Sequence, residues 1–178
     1  MKNETFDVEF IQAEKNLDRG YFDQAAREFR DIIKKFPGEA KCYSKLGVCF
    51  ACQKKFNEAR EYMEKAIDLD AEFPEPYNNL GNIFLEEKKY DKAIAFYKKA
   101  ISLNSNYAAP YSNLGLAYKK LNKYSKAVDS FKRAAEIERK IPTVKAREII
   151  NQSKLKINSN WIILIIIGLL IIWLLVVR

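Results

Sequence analysis

The sequence contains no histidine in 178 residues. That removes the side chain most used for proton transfer near neutral pH and the usual nitrogen ligand of zinc. Only six glycines are present, and none builds a glycine-rich phosphate loop. No nucleophile motif occurs either, and the acidic residues are scattered along helical faces among lysines. These absences argue against an enzyme and against any cofactor or metal. Cysteine is scarce and odd in number: Cys42, Cys49 and Cys52 fall on one predicted helix. Cys49 and Cys52 form a C-x-x-C pair late in that helix, where no helix N-terminus lowers a thiol pKa. Cys42 and Cys49 would stand about 10 Å apart along the axis, a poor start for a shared metal. The expectation is small apolar packing in a reducing compartment. Met1 to Phe10 carries Lys2, Glu4, Asp7 and Glu9 and lacks the apolar run of a secretory signal.

What is present is a repeat. From Tyr77 the chain reads Leu80-Gly81, Phe84, then Ala93 and Tyr97, and a shift of 34 residues restores the same phrase on either side. Upstream it is Tyr43, Leu46-Gly47, Phe50, Ala59 and Met63; downstream it is Tyr111, Leu114-Gly115, Tyr118, Ala127 and Phe131. A further step back keeps Ala25 and Phe29, with Ala13 where the glycine is expected. An aromatic column, Phe22, Phe56, Tyr90 and Tyr124, follows a short turn in each copy. Each unit therefore predicts two antiparallel helices. Gly47, Gly81 and Gly115, facing the alanine column, are expected to let the two helices approach closely, with room for nothing larger than Ala. Asp23, Asn57, Asp91 and Ser125 are candidate N-caps of the returning helices.

This layout resembles the tetratricopeptide repeat family over residues 6–141, with Tyr43, Tyr77 or Tyr111 where the family's leading Trp stands and the trailing Pro only at Pro37. The resemblance implies an all-α, right-handed superhelical solenoid of four helix pairs, at about 6–39, 40–73, 74–107 and 108–141. It also implies a peptide-binding groove lined by the first helix of each pair. The matching positions are Phe10, Glu14, Ser44, Lys45 and Val48 early in the chain. Its middle is expected at Asn78, Asn79, Asn82, Glu86, Ser112, Asn113, Leu116 and Lys120. The amides suit paired hydrogen bonds to an extended peptide backbone. Chaperone-docking members clamp a terminal carboxylate with Lys, Asn and Arg. Here Asn82, Asn113 and Arg147 fit that set, but Asn78 and Thr143 stand where lysines are wanted, so the clamp is incomplete.

Charge divides the chain. Residues 1–141 carry 26 basic and 22 acidic side chains, while residues 142–178 carry five and one. A charge of +4 spread over the repeats, whose aromatics belong to core columns, disfavours nucleic acid. Residues 142–157 carry Ala146, Ile149, Ile150 and Ile157 at helical spacing, expected as a capping helix or a juxtamembrane amphipathic one. After a 158–160 linker, residues 161–177 are 17 without a charge or amide. They would span roughly 25 Å, close to the hydrocarbon thickness of a thin bilayer. Lys145, Arg147, Lys154 and Lys156 precede this stretch and only Arg178 follows it. The positive-inside rule then keeps the repeats on the cytoplasmic side of a single-pass tail anchor. The expectation is a membrane-anchored adaptor or scaffold for protein partners, with self-association through the degenerate first repeat as the alternative.

Overall fold

The computed structural model describes residues 4–140. Seven helices run in order: α1 (Glu4–Asp18), α2 (Phe22–Lys35), α3 (Ala40–Cys52), α4 (Phe56–Leu69), α5 (Pro74–Glu86), α6 (Tyr90–Leu103) and α7 (Ala108–Lys120). An eighth, α8, covers 124–140. The chain divides into two compact units, 1–135 and 136–178. The described part of the second is the end of α8, where Lys140 pairs with Glu136 at 2.7 Å. All packing below lies in the first. The expected helix at 142–157, the linker and the span at 161–177 lie outside the described residues. Among the described residues no helix is long and apolar enough to cross a membrane.

Within each pair the chain must stop one helix and start its antiparallel partner across three residues. It does so with one left-handed residue, at Gly20 (φ 83°), Lys54 (60°), Lys88 (61°) and Asn122 (58°), again 34 apart. The hydrogen bonds are those of a Schellman turn. Lys55 N donates to Phe50 O at 2.9 Å and Lys54 N to Ala51 O at 2.9 Å; Lys89 to Phe84 and Lys88 to Leu85 repeat the pattern. Gly20 adopts this conformation without steric cost, whereas a lysine there costs about 1–2 kcal/mol. The returning helices begin two residues earlier than the capping signal suggested. The N-cap positions are Tyr21, Lys55 and Lys89, none with a side-chain cap bond. Asp23, Asn57 and Asp91 are therefore second-position residues, as is Ser125 in α8. There the two aspartates complement the helix dipole instead of capping it. Between pairs, Asp70 Oδ1 accepts from Glu72 N at 3.0 Å and Asn104 Oδ1 from Asn106 N at 2.9 Å, so these loops open with Asx turns.

The glycine column is tighter than the sequence implied. A Cβ on Gly81 would lie 2.4 Å from Tyr97, one on Gly115 2.7 Å from Phe131, and one on Gly47 2.8 Å from the Met63 methyl. The large side chain one turn beyond the alanine column, rather than the alanine, rests on the glycine, and at Gly81 and Gly115 even Ala overpacks. Ala25, Ala59, Ala93 and Ala127 are buried, as is a column the periodicity also contains, Ile32, Ala66, Ala100 and Ala134. Stacked rings recur one repeat apart, Phe50 on Tyr62 at 5.3 Å and Phe84 on Phe96 at 5.2 Å. The first repeat has Asn16 in that aromatic column. It is buried and donates to both Glu28 carboxylate oxygens at 2.8 Å, which explains how a polar residue is tolerated there.

Successive pairs touch unequally. Backbone contacts join α1 to α3, α3 to α5 and α5 to α7, while none joins α2 to α4 or α4 to α6. The odd helices therefore line the inner, concave side and the even ones fan outward.

Gly81→Ala is expected to destabilise the protein by about 1–3 kcal/mol, because Tyr97 is a rigid ring. Gly47→Ala should cost less, since the end of Met63 can swing away. Denaturant melts of the two variants check the ranking. Lys88→Gly, which relieves the left-handed strain, should raise stability by roughly 0.5–1 kcal/mol, read as an increased melting temperature.

Candidate functional site

The inner faces of α1, α3 and α5 enclose a cavity of about 600 Å³. Side chains three or four apart supply it, because that spacing keeps them on one helix face. They are Phe10, Glu14 and Leu17 from α1, Lys41, Lys45, Val48 and Cys52 from α3, and Glu75 and Asn79 from α5. Phe73 and Tyr107, the residues that start α5 and α7, reach in from the loops between pairs. A smaller space of about 230 Å³ shares Val48, Cys52 and Asn79 and adds Asn82 and Glu86. A separate cavity of about 340 Å³ lies between α1 and α2, on Val8, Gln12, Ile32 and Lys35.

The charges in the large cavity are unevenly matched. Lys45 Nζ lies 2.6 Å from Glu14 Oε1. Lys41 Nζ sits 4.3 Å from the Phe6 ring centroid and 4.8 Å from that of Phe10, a cation–π arrangement. Both lysines are therefore engaged. Glu75 Oε2 is buried and receives no hydrogen bond. Asp18, exposed at the α1 end, has no ion pair among the described residues. Burial, with the nearby Glu75 carboxylate as a second cause, pushes the Tyr107 hydroxyl up to about 12.

The amides predicted for the middle of the groove divide. Asn78 is buried, and Asn113 Nδ2 donates to its Oδ1 at 3.0 Å and to Asn82 Oδ1 at 2.9 Å. Tyr97 Oη also donates to Asn82 Oδ1 at 2.9 Å, brought there by the seat of its ring on Gly81. These amides tie α5 to α6 and α7. Asn78 is thus an internal strut, and the Asn113 amide is already engaged. Asn79 and Asn82 are half-buried and Glu86 is exposed, and all three line cavity walls. Ser112 is half-buried, and Leu116 and Lys120 are exposed on α7. Of the amides wanted by a carboxylate clamp, Asn82 Oδ1 and Asn113 Nδ2 are bonded to one another. Arg147, Thr143 and the membrane-proximal Lys145, Lys154 and Lys156 lie outside the described residues. Of the early positions, Phe10, Glu14, Ser44, Lys45 and Val48 all line the large cavity. Sequence reasoning missed Phe73 and Tyr107, although their 34-residue separation was a usable signal. Glu75 carried no signal.

The three cysteines differ sharply. Cys42 and Cys49 are fully buried in the core, and burial pushes both thiols up to about 12. Cys52 is exposed on the groove wall, its thiol raised by partial desolvation. Among the described residues no group of three or more Cys, Asp or Glu could hold a metal ion.

Four models of the tetratricopeptide repeat match overlapping segments at residues 40–73, 62–95, 81–122 and 108–140. The chain carries tetratricopeptide repeats. Solved structures agree. The protein MamA is similar at a TM-score of 0.64 and 25% identity, over 78% of this chain and 81% of that one. PilF of Pseudomonas aeruginosa is similar at a TM-score of 0.69 and 25% identity, over 76% of this chain and 62% of PilF, so the likeness spans under two thirds of that protein. No curated protein sequence matches the chain. Tetratricopeptide repeats generally mediate protein–protein interaction or assembly, and the concave cavity is where such repeats present their inner helices.

The environments of the thiols give a direct check. In the folded repeats a maleimide should modify one thiol per chain quickly, Cys52, with Cys42 and Cys49 reacting only on unfolding. Peptide mapping of the labelled protein reads the outcome, and rapid labelling of Cys49 would contradict the core packing.

Proposed function

We propose that the protein is a membrane-anchored, non-catalytic adaptor that holds a partner protein in the concave groove of its repeats on the cytoplasmic side of a membrane. The observation that carries this reading is the cavity of about 600 Å³, whose lining comes from α1, α3, α5 and the loops between pairs and is held by repeat contacts that do not depend on a ligand. Its size and mixed apolar and polar walls suit the side chains of a protein segment.

The anchor part of the proposal is supported by sequence. Residues 161–177 carry no charge, and Lys145, Arg147, Lys154 and Lys156 stand on the near side. Those cations would add attraction to an anionic leaflet of about 1 kcal/mol each. Carbonate extraction tests it: the full chain should stay in the membrane pellet, and deletion of 161–178 should release it. A deleted chain that still pellets overturns the anchor.

For the groove, a benzophenone maleimide on Cys52 of the full-length protein in its native membranes should crosslink one discrete foreign protein. Val48→Glu, which puts a charge on the cavity wall, should abolish that adduct. Crosslinks that persist in the variant, or that form no discrete product, count against the groove.

A second reading, self-assembly, is favoured by one observation. Val8 is 69% exposed although Cys42, Pro76 and Pro110 in the same column are fully buried. Phe131 is 41% exposed although Phe29, Met63 and Tyr97 in its column are at 0%. The surfaces that inner repeats use against each other are thus open on α1 and on α8, where a second copy could continue the stack. Light scattering decides: a mass that rises with concentration and is lost in Val8→Lys supports a scaffold, and a constant monomer mass removes it.

A further inference from the structure

The groove reading leaves open what kind of segment is held, and the charges inside the large cavity answer that. An incoming side chain meets an apolar surface made by Phe10, Val48 and Phe73. It also meets carboxylates that nothing in the repeats satisfies. Glu75 Oε2 is the telling atom. It is out of contact with water and accepts no hydrogen bond. Leaving a buried carboxylate oxygen without a donor is costly, so such atoms point to a partner that completes them. Glu75 lies in the first turn of α5, where the helix dipole complements an acidic side chain.

The cations of the cavity do not fill that role. Lys45 is held on Glu14 and Lys41 over two phenylalanine rings. Asp18 adds a second carboxylate without an ion pair among the described residues. Among the described residues the cavity therefore holds two carboxylates without an ion pair and no lysine free of an ion pair or a ring contact, so an acidic segment would meet repulsion or would have to break the Lys45–Glu14 pair. A cation entering beside an apolar side chain gains a charge-assisted hydrogen bond at the Glu75 carboxylate once that side chain turns Oε2 toward the opening, and it buries its stem along Val48 and Phe73.

We propose, on top of the groove reading, that this cavity binds a protein segment in which a bulky apolar residue stands next to a lysine or arginine. The apolar side chain fills the space among Phe10, Val48 and Phe73, and the cation donates to Glu75 with Asp18 as a second acceptor. Specificity then comes from the acidic pair, and the Nδ2 of half-buried Asn79, whose Oδ1 accepts from Asn78 at 3.5 Å, is available for the backbone of the segment.

The test uses the full-length protein and two synthetic fluorescent nonamers, one alternating Phe and Leu with Lys, the other carrying Glu in place of each Lys. Fluorescence polarisation should show the lysine peptide binding at least about tenfold more tightly than the glutamate peptide. Glu75→Gln, which keeps the shape of the side chain, should weaken the lysine peptide about tenfold and leave the melting temperature near that of the parent. Asp18→Asn, on an exposed site that does not threaten folding, should weaken it by a few-fold. Prior blocking of Cys52 with a bulky maleimide should prevent binding. If both peptides bind equally and Val48→Glu abolishes both, the basic preference is wrong and the groove stands. If neither binds, the groove reading falls with it. Tighter binding of the glutamate peptide, or no effect of either carboxylate substitution, also overturns the inference.

Discussion

One contact recurs in the last three pairs of the stack: a large side chain of the returning helix rests on a glycine of the outgoing helix. Met63 on Gly47, Tyr97 on Gly81 and Phe131 on Gly115 set the distance between the two helices of a pair. The rest follows from that distance. The alanine columns must be small because the axes are close, and the ring of Tyr97 must enter at a height that delivers its hydroxyl to Asn82. Asn82 in turn gathers Asn113, so a packing constraint inside one pair becomes a hydrogen-bonded tie to the next. Buried amides linked in this way are stable only when each has a partner, which fixes the register between pairs as well as their spacing.

The inner wall serves a different purpose. Where the amides of α5 and α7 satisfy one another, two carboxylates of the other part, Glu75 and Asp18, lack an ion pair among the described residues, and the two parts of the concave face are chemically distinct. The C-terminal part is knitted and structural. The N-terminal part holds apolar surface, aromatic rims at Phe73 and Tyr107 and acceptors without donors. A protein built only to stack would have no need of the second.

The 34-residue period made the helix pairs legible before any coordinates, because several columns moved together and a helix is the only state that brings them onto common faces. The tight turns were harder to read. Lys54 and Lys88 carry no mark of a left-handed backbone, and only Gly20 and Asn122 in the same column hint at it. The candidate caps misled because the aromatic before each of them is already helical, which displaces Asp23 and Asp91 inward by two positions. For the groove, residue type pointed to the asparagines, but Asn78 proved internal. An amide looks the same in sequence whether it faces a ligand or another amide. The early groove residues Phe10, Lys45 and Val48 were recoverable because their position in the repeat, rather than their chemistry, located them. Glu75 acquired meaning only from the absence of a donor around it.

The pairing of each helix with its immediate neighbours also bears on how the chain acquires its shape. Contacts link elements one or two apart in order, α1 with α2 and α3, α3 with α4 and α5, and so on to α7. No element waits for a distant one. Closure entropy is therefore small at every step, and assembly can begin as soon as the first helices leave the ribosome. Each newly made pair finds a finished surface to settle on, so the order of synthesis and the order of the stack are the same.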